Sequence, residues 1–342
     1  MNNLTFILSL IIIINLFLIK YFNKIKIFHY IIDKPDNVRK FHPKPVPLAG
    51  GIIIFINILI YSIIILTNQE YFLKELIFDN TTDAYLFFLA IGLIFIIGYL
   101  DDKYDLSPNL KFILLTIVII VILNLDENLA IKEIRFSFNK DTFNIEPFSL
   151  LFTCFCFLVF LNAFNMFDGI NLQSSIYSII IFFSLLIFLT NSILIDVMLI
   201  TLLGYSYLNY KNITFLGDSG ALVLAFIISY SFIKTYNLGL ITYTDEIFIY
   251  MMIPGVDLIR LFFKRVLQKK NPLKSDRQHL HHLLCLKFTN MQSLIILQSI
   301  IIFPILLNSL SLNKVAIIVF TIILYTILII QLEDNKKNNT NL

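Results

Sequence analysis

Residues 84–102 read Ala84-Tyr-Leu-Phe-Phe-Leu-Ala-Ile-Gly-Leu-Ile-Phe-Ile-Ile-Gly-Tyr-Leu-Asp101-Asp102, an unbroken apolar run that ends on two adjacent carboxylates. A helix needs about 20 apolar residues to cross a bilayer at roughly 1.5 Å rise per residue. The run therefore predicts a membrane-spanning helix whose end emerges with two acids at the aqueous boundary. Unsatisfied backbone groups are costly in lipid, so a run this apolar is a helix or a strand of a closed barrel, and the period-two alternation of a barrel strand is absent. Working outward, comparable runs lie near 3–22, 47–66, 112–125, 148–167, 173–190, 192–208, 221–236, 246–266, 291–308 and 314–332. With 84–100 they predict an all-α polytopic membrane protein of about 11 transmembrane helices, the run at 112–125 being the weakest. One integral membrane domain is expected over 1–332, followed by a polar tail at 333–342.

Composition agrees. Of the 342 residues 58% are hydrophobic and 14% charged, and the mean hydropathy is +0.83, against roughly 45–50% apolar and ~25% charged in soluble domains. A soluble two-domain enzyme is excluded. The 26 Lys and Arg nearly balance the 23 Asp and Glu, which leaves no basic domain to point to nucleic acid. Cys154, Cys156 and Cys285 make neither a disulfide framework nor a metal-ligand set and read as packing residues. No small-residue cleavage site follows the first apolar run, so it reads as a membrane helix and not a signal peptide.

If eleven helices alternate, 20 of the 26 cations collect on one side, among them Lys20 to Lys44, Lys103, Lys111 and the stretch from Arg260 to Lys287. The positive-inside rule makes that side cytoplasmic, with the N-terminus outside and the C-terminus inside. The outer segment Asp126 to Pro147 alternates in part at Ile131, Ile134, Phe136 and Phe138 and predicts a hairpin on the external surface.

Four polar clusters interrupt the apolar pattern on the cytoplasmic side. Asp101 and Asp102 are followed ten residues on by Lys111. Asn162, Asn165 and Asp168 recur every three residues along one helix face, with Gly169 and Asn171 beyond. Phe215-Leu-Gly217-Asp218-Ser219-Gly220 places a glycine-flanked aspartate ahead of a helix. Asp257 lies in an apolar run, and Arg277, His279, His281 and His282 follow it. Oxygen donors from several loops suit Mg²⁺, which keeps waters and shares its shell with carboxylates and substrate phosphates. Lys111, Arg277 and the histidines then complement phosphate oxygens, since phosphoryl transfer is catalysed by positioning and charge neutralisation. The bland readings are a solvated interface for Asp101 and Asp102, a turn for the Gly-Asp-Ser-Gly segment, a solvated loop for the histidines, and Arg260 as a structural partner of Asp257. A phosphoanhydride substrate at the membrane surface is the functional expectation.

At these residues the chain closely resembles the polyprenyl-phosphate N-acetylhexosamine-1-phosphate transferases, the WecA/TagO and MraY-like membrane enzymes. The resemblance rests on His42-Pro-Lys44-Pro-Val-Pro47 with Gly50-Gly51, the Asp101-Asp102 loop, Asn162-x-x-Asn165-x-x-Asp168-Gly169, Phe215-x-Gly217-Asp218, and His279-x-His281-His282, in that order. It implies Mg²⁺-dependent transfer (Mn²⁺ being an alternative ion) of a sugar-1-phosphate from a UDP-N-acetylhexosamine to a polyprenyl phosphate, undecaprenyl phosphate in the first instance, with release of UMP. The setting implied is the cytoplasmic face of the inner membrane, at the initiating step of a cell-envelope glycan. Asp218 and Asn165 resemble the metal ligands. Asp101 resembles the residue that binds or deprotonates the lipid phosphate, with Asp102 beside it, and Lys111 the lysine on phosphate. Phe215 matches the aromatic that stacks on uracil and Asn171 the position facing the uracil edge, while Asp168 and Asp257 match acidic positions and His42, Lys44, Asn162, Arg277, His279, His281 and His282 stand for substrate contacts. Many bacterial relatives read Asp-Gly-x-Asp-Gly-Leu where this chain has Asp168-Gly-Ile-Asn171-Leu172-Gln173, so an amide replaces a carboxylate and one glycine is missing. The His-Leu-His-His loop is similar to the plain UDP-HexNAc branch, which favours UDP-GlcNAc over UDP-MurNAc-pentapeptide. The lipid bilayer is the expected surrounding partner, no nucleic acid is expected, and a homodimer is left open. A membrane transporter is the alternative of another class, and it would bury its acids near mid-bilayer in broken helices.

Overall fold

The computed structural model describes residues 2–35, 44–190, 192–271 and 277–340, with side chains over 4–35, 44–190, 192–271 and 277–333. Thirteen helices follow in order: α1 (Asn2–Tyr21), α2 (Gly50–Thr67), α3 (Gln69–Phe72), α4 (Thr81–Tyr104), α5 (Pro108–Leu125), α6 (Ser149–Phe167), α7 (Gln173–Leu185), α8 (Ile193–Tyr210), α9 (Gly217–Asn237), α10 (Thr244–Leu267), α11 (Leu280–Cys285), α12 (Asn290–Ser309) and α13 (Lys314–Thr340). Every apolar run of the sequence contains a helix. Among the described residues, nine helices are long and apolar enough to cross a membrane, against the eleven expected. The two others are α7, which stops after 13 residues, and α10, whose 24 residues carry Asp245, Glu246, Asp257, Arg260, Lys264 and Arg265.

The weak run near 112–125 is a full helix of 18 residues. Ser107 accepts the Leu110 amide at 3.3 Å and Pro108 supplies a pre-set φ at the first turn, so α5 begins four residues before the apolar run and takes Lys111 into its first turn. The run at 47–66 loses its start because Val46–Pro47 (β2) pairs antiparallel with Ile32–Asp33 (β1). The run at 221–236 gains one, since α9 starts at Gly217 and Asp218 lies in its first turn and not ahead of it. The expected hairpin forms from β3 (Glu133–Arg135) and β4 (Thr142–Asn144), paired antiparallel. Tyr236 in the last turn of α9 ties it down, its hydroxyl donating to the Glu133 carbonyl and accepting the Arg135 amide, both at 3.0 Å.

Helix α9 is the axis of the bundle. Its apolar window is wholly buried and packs against α2, α4, α6 and α7. Gly220, Ala221, Ala225, Ser229 and Ser231 let the neighbouring backbones approach, as small residues do where helices meet in lipid. The outer helices instead expose Phe6, Ile13, Ile63, Leu89 and Ile96, an apolar surface suited to acyl chains. Polar contacts lock individual pairs: Asn15 of α1 and Asn57 of α2 exchange amide hydrogen bonds at 2.9 and 3.3 Å.

The two ends of α9 carry two polar clusters. At its C-terminal end the buried Lys234 ammonium meets Asp79 at 3.0 Å, Asp126 at 3.3 Å and Asp83 at 3.6 Å. Close by in sequence, Glu75 accepts the Leu194 amide and the Ser192 hydroxyl at 2.7 and 2.9 Å and closes the start of α8. Burial pushes the Glu75 carboxyl up to about 7. The N-terminal end of α9 carries the site described next.

Candidate functional site

The C-terminal end of α4, the first turns of α5 and α9 and the last turns of α6 converge. Lys111 stands at the centre, its Nζ donating to Asp101 Oδ2 at 2.6 Å and to Asp218 Oδ2 at 2.7 Å. With its amide oxygen turned to Lys111, Asn165 accepts from Nζ at 3.1 Å and donates to Asp218 Oδ1 at 3.3 Å. One ammonium is thus held by oxygens from three helices. The second oxygen of Asp101 accepts the Leu106 amide at 2.8 Å, which fixes its carboxylate across the α4–α5 turn, where Asp105 takes a left-handed φ of 52°.

Asp102 points elsewhere. Its Oδ1 accepts the Asp218 amide at 2.7 Å, and its Oδ2 accepts the Ser219 amide at 3.1 Å and the Ser219 hydroxyl at 2.7 Å. Gly217 makes room for this: its φ is +74°, and a Cβ there would stand 2.6 Å from Asp102 Oδ2.

Asp168 caps the C-terminal end of α6, one turn beyond Asn165. Burial, reinforced by the charge of Asp218, pushes its carboxyl up to about 7. The next residue, Gly169, lies against the buried His281 ring so closely that a Cβ would fall 1.9 Å from Nε2. Gln173 reaches the same ring at Nδ1, 3.4 Å away. Burial holds His281 well below the usual histidine range, and neighbouring His282 and His279 push the same way, so the ring is neutral at pH 7. The His281 ring stacks with His279 at 5.7 Å and sits 4.1 Å from His282.

His279 is in turn fixed by Asp257, Nδ1 donating to Oδ2 at 2.7 Å. The other oxygen of Asp257 accepts from Arg260 at 2.8 Å and from the Tyr325 hydroxyl of α13 at 2.5 Å. Arg260 is therefore the structural partner weighed for Asp257, and that acid orients the histidine segment while its own oxygens are fully engaged. Arg277 is exposed two residues before His279.

In the loop between α6 and α7, Leu172 stands at the position where the glycine-containing pattern has its second glycine. Leu172 adopts φ 67°, a left-handed conformation rare for a branched side chain, and its amide donates to Asn209 Oδ1 at 2.6 Å. Asn171 donates to Asn212 Oδ1 at 2.6 Å and to the Asn209 carbonyl at 3.1 Å. It therefore sits beside the segment carrying Phe215, whose amide donates to the Pro47 carbonyl and whose carbonyl accepts the Gly50 amide, both at 3.0 Å. Lys44 is exposed just before β2. Asn162 does not join the cluster through its amide nitrogen, which donates to its own Leu158 carbonyl at 2.7 Å. His42 lies outside the described residues.

Sequence reading missed Ser219, Gln173, Asn209 and Tyr325. Of these, Asn209 stands between Leu208 and Tyr210, a polar side chain in an apolar run, which is the signal that could have marked it. The oxygens of Asp218, Asn165 and Asp101 are hard donors of the kind Mg²⁺ takes. Among the described residues no three His, Cys, Asp or Glu side chains gather for a metal, so an ion here takes at most two carboxylates and an amide and needs substrate phosphates or water for the rest. The acids of this cluster lie at helix ends and not in broken helices midway along the bundle.

The bundle of membrane-length helices thus gathers carboxylates, an amide and a lysine at one end. The profile of glycosyl transferase family 4 matches residues 84–236. That span runs from α4 through α9 and holds Asp101, Lys111, Asn165, Asp168 and Asp218. The undecaprenyl-phosphate alpha-N-acetylglucosaminyl 1-phosphate transferase of Yersinia pestis is 28% identical over 283 residues, 78% of this chain and 73% of the relative. The proteins of the same name from Escherichia coli strain K12 and Thermotoga maritima are 27% identical over 286 residues and 28% over 271, covering 78% of this chain and 72% and 77% of theirs.

Proposed function

We propose that the protein transfers N-acetylhexosamine-1-phosphate, with GlcNAc as the first candidate sugar, from a UDP-sugar to undecaprenyl phosphate and releases UMP. A phosphate oxygen of the lipid attacks the sugar-linked phosphorus, a new phosphoanhydride forms, and the bond to UMP breaks with its electron pair leaving on UMP. One anhydride replaces another, so catalysis is mainly placement and charge neutralisation. The observation that carries this reading is the Lys111 ammonium held between Asp101 and Asp218, a cation poised to exchange carboxylate oxygens for phosphate oxygens. Asp101 and Lys111 hold the lipid phosphate, and Asp168, its carboxyl near 7, takes or returns a proton beside Asp218. Asp218 and Asn165 would hold Mg²⁺, which neutralises charge on the diphosphate when bound. The names of the relatives support undecaprenyl phosphate and GlcNAc as the pair to test first.

In this reading α7 and α10 also cross the bilayer, which makes eleven crossings with the N-terminus outside and the site on the cytoplasmic face of the inner membrane. The positive-inside count supports it. The product is the first lipid-linked sugar of a cell-envelope glycan.

The test is UMP release by the purified protein with undecaprenyl phosphate and Mg²⁺, comparing UDP-GlcNAc, UDP-GalNAc and UDP-MurNAc-pentapeptide. Release that needs both lipid and Mg²⁺ and favours UDP-GlcNAc is expected. Absence of UMP from every donor overturns the reaction, and preference for another donor overturns the sugar. In the same assay Phe215→Ala raises the donor KM by about 5- to 150-fold, the equivalent of the roughly 1–3 kcal/mol that base stacking contributes on an aromatic ring. An unchanged KM removes Phe215 from the uracil site.

A further inference from the structure

We infer that the adjacent carboxylates Asp101 and Asp102 have separate roles, and that Asp102 is a positioning residue that holds the first turn of α9 and so aims Asp218. This rests on the transferase reading for its consequence, though not for its geometry. Among the described residues all three hydrogen bonds of Asp102 go to residues 218 and 219: two backbone amides and the Ser219 hydroxyl. A helix start leaves its first amides without intrahelical partners and concentrates positive potential there. Asp102 answers both demands, from another helix and 116 residues away in sequence.

Nothing within α9 can do this. The residue before it, Leu216, has no side-chain oxygen to cap with, and Gly217 takes φ +74° to let the α4 carboxylate in. Asp101, one residue earlier on α4, is rotated by about 100° around the helix and meets Lys111 instead. A consecutive pair of acids therefore divides the work by helical rotation alone: one oxygen set fixes the backbone of Asp218, the other shares its ammonium partner. Asp102 contacts neither Lys111 nor Asn165 in any hydrogen bond of the structure, so its effect on the reaction passes through the Asp218 backbone.

The experiment compares Asp102→Asn, Asp102→Ala and Ser219→Ala with the wild type in detergent. It measures hydrogen–deuterium exchange over residues 213–224 alongside kcat and the Mg²⁺ dependence of UMP release. An asparagine keeps one acceptor oxygen where Asp102 uses two and alanine keeps none, so Asp102→Ala speeds exchange in this segment by about 2- to 30-fold and Asp102→Asn speeds it less. Turnover follows the cap: Asp102→Asn loses less than about tenfold, and Asp102→Ala loses more with the Mg²⁺ half-saturation point little moved. Ser219→Ala falls between. If Asp102→Asn stops turnover while exchange stays protected, Asp102 acts on the reacting groups directly and the inference is overturned. Unchanged exchange in Asp102→Ala overturns it as well. Should the wild type release no UMP from any donor, the transferase reading fails and the exchange comparison still decides the cap.

Discussion

Asp218→Ala stops lipid-dependent UMP release while the purified protein stays folded and monodisperse in detergent. The side chain sits in the first turn of α9 and is about one-third exposed, so its loss opens no core cavity. Lys111 keeps Asp101 as a partner at 2.6 Å, which spares the bundle an unpaired buried cation. What disappears is the acid that joins Lys111, Asn165 and, in the proposed mechanism, Mg²⁺. Removal of one preorganised electrostatic group costs about 10²–10³ in turnover, and a group that also binds the metal costs more. Initial rates across a Mg²⁺ titration, paired with a melting curve, check this. Turnover near wild type in a folded Asp218→Ala protein would end the assignment of the site.

Lys234→Met destabilises the bundle by about 3–5 kcal/mol, the cost of removing one partner from a buried ion cluster. The ammonium is almost wholly buried, and it is the cation facing Asp79, Asp83 and Asp126. Methionine fills the stem but leaves the buried Asp83 and Asp126 without a counter-charge. These acids belong to the start of α4 and the end of α5, and Lys234 is what draws both ends onto α9. The midpoint of denaturant or thermal unfolding in micelles should fall sharply, and Lys234→Arg, which keeps the charge, should recover most of it. Adding Asp126→Asn to Lys234→Met should recover part, since it removes one of the stranded charges. The cluster lies sixteen residues from Asp218, about 24 Å along α9, so kcat of the folded fraction stays close to wild type. A Lys234→Met protein as stable as wild type would show that the cluster carries no stability.

The histidine segment illustrates where reading in one dimension stops. His279, His281 and His282 stood out in the sequence as phosphate partners, yet the structure buries His279 and His281 and sets one against Asp257 and the other against Gly169. No spacing rule links Asp257 to Tyr325, because the contact depends on how α10 and α13 are rotated against each other. Leu172 shows the same limit: nothing in its own side chain marks it for the left-handed backbone it adopts, which is held by the Asn209 side chain 37 residues on.

Sequence alone determined that this is a helical membrane bundle, roughly where its long helices lie, that a hairpin follows α5, and which polar clusters break the apolar pattern. Those properties are local. Transfer of a run of side chains into lipid, and the backbone hydrogen bonds that must then close within it, depend on neighbours in the chain. Even the α5 start was written locally, in Ser107 and Pro108. The tertiary structure alone decided that Asp101 faces Lys111 and Asp102 faces α9, that Asp218 meets both Lys111 and Asn165, and that Lys234 collects three aspartates at the far end. A difference of one residue turns a helical side chain by about 100°, and which neighbour it then meets is set by the tilt and rotation of packed helices, to which dozens of distant side chains contribute at once.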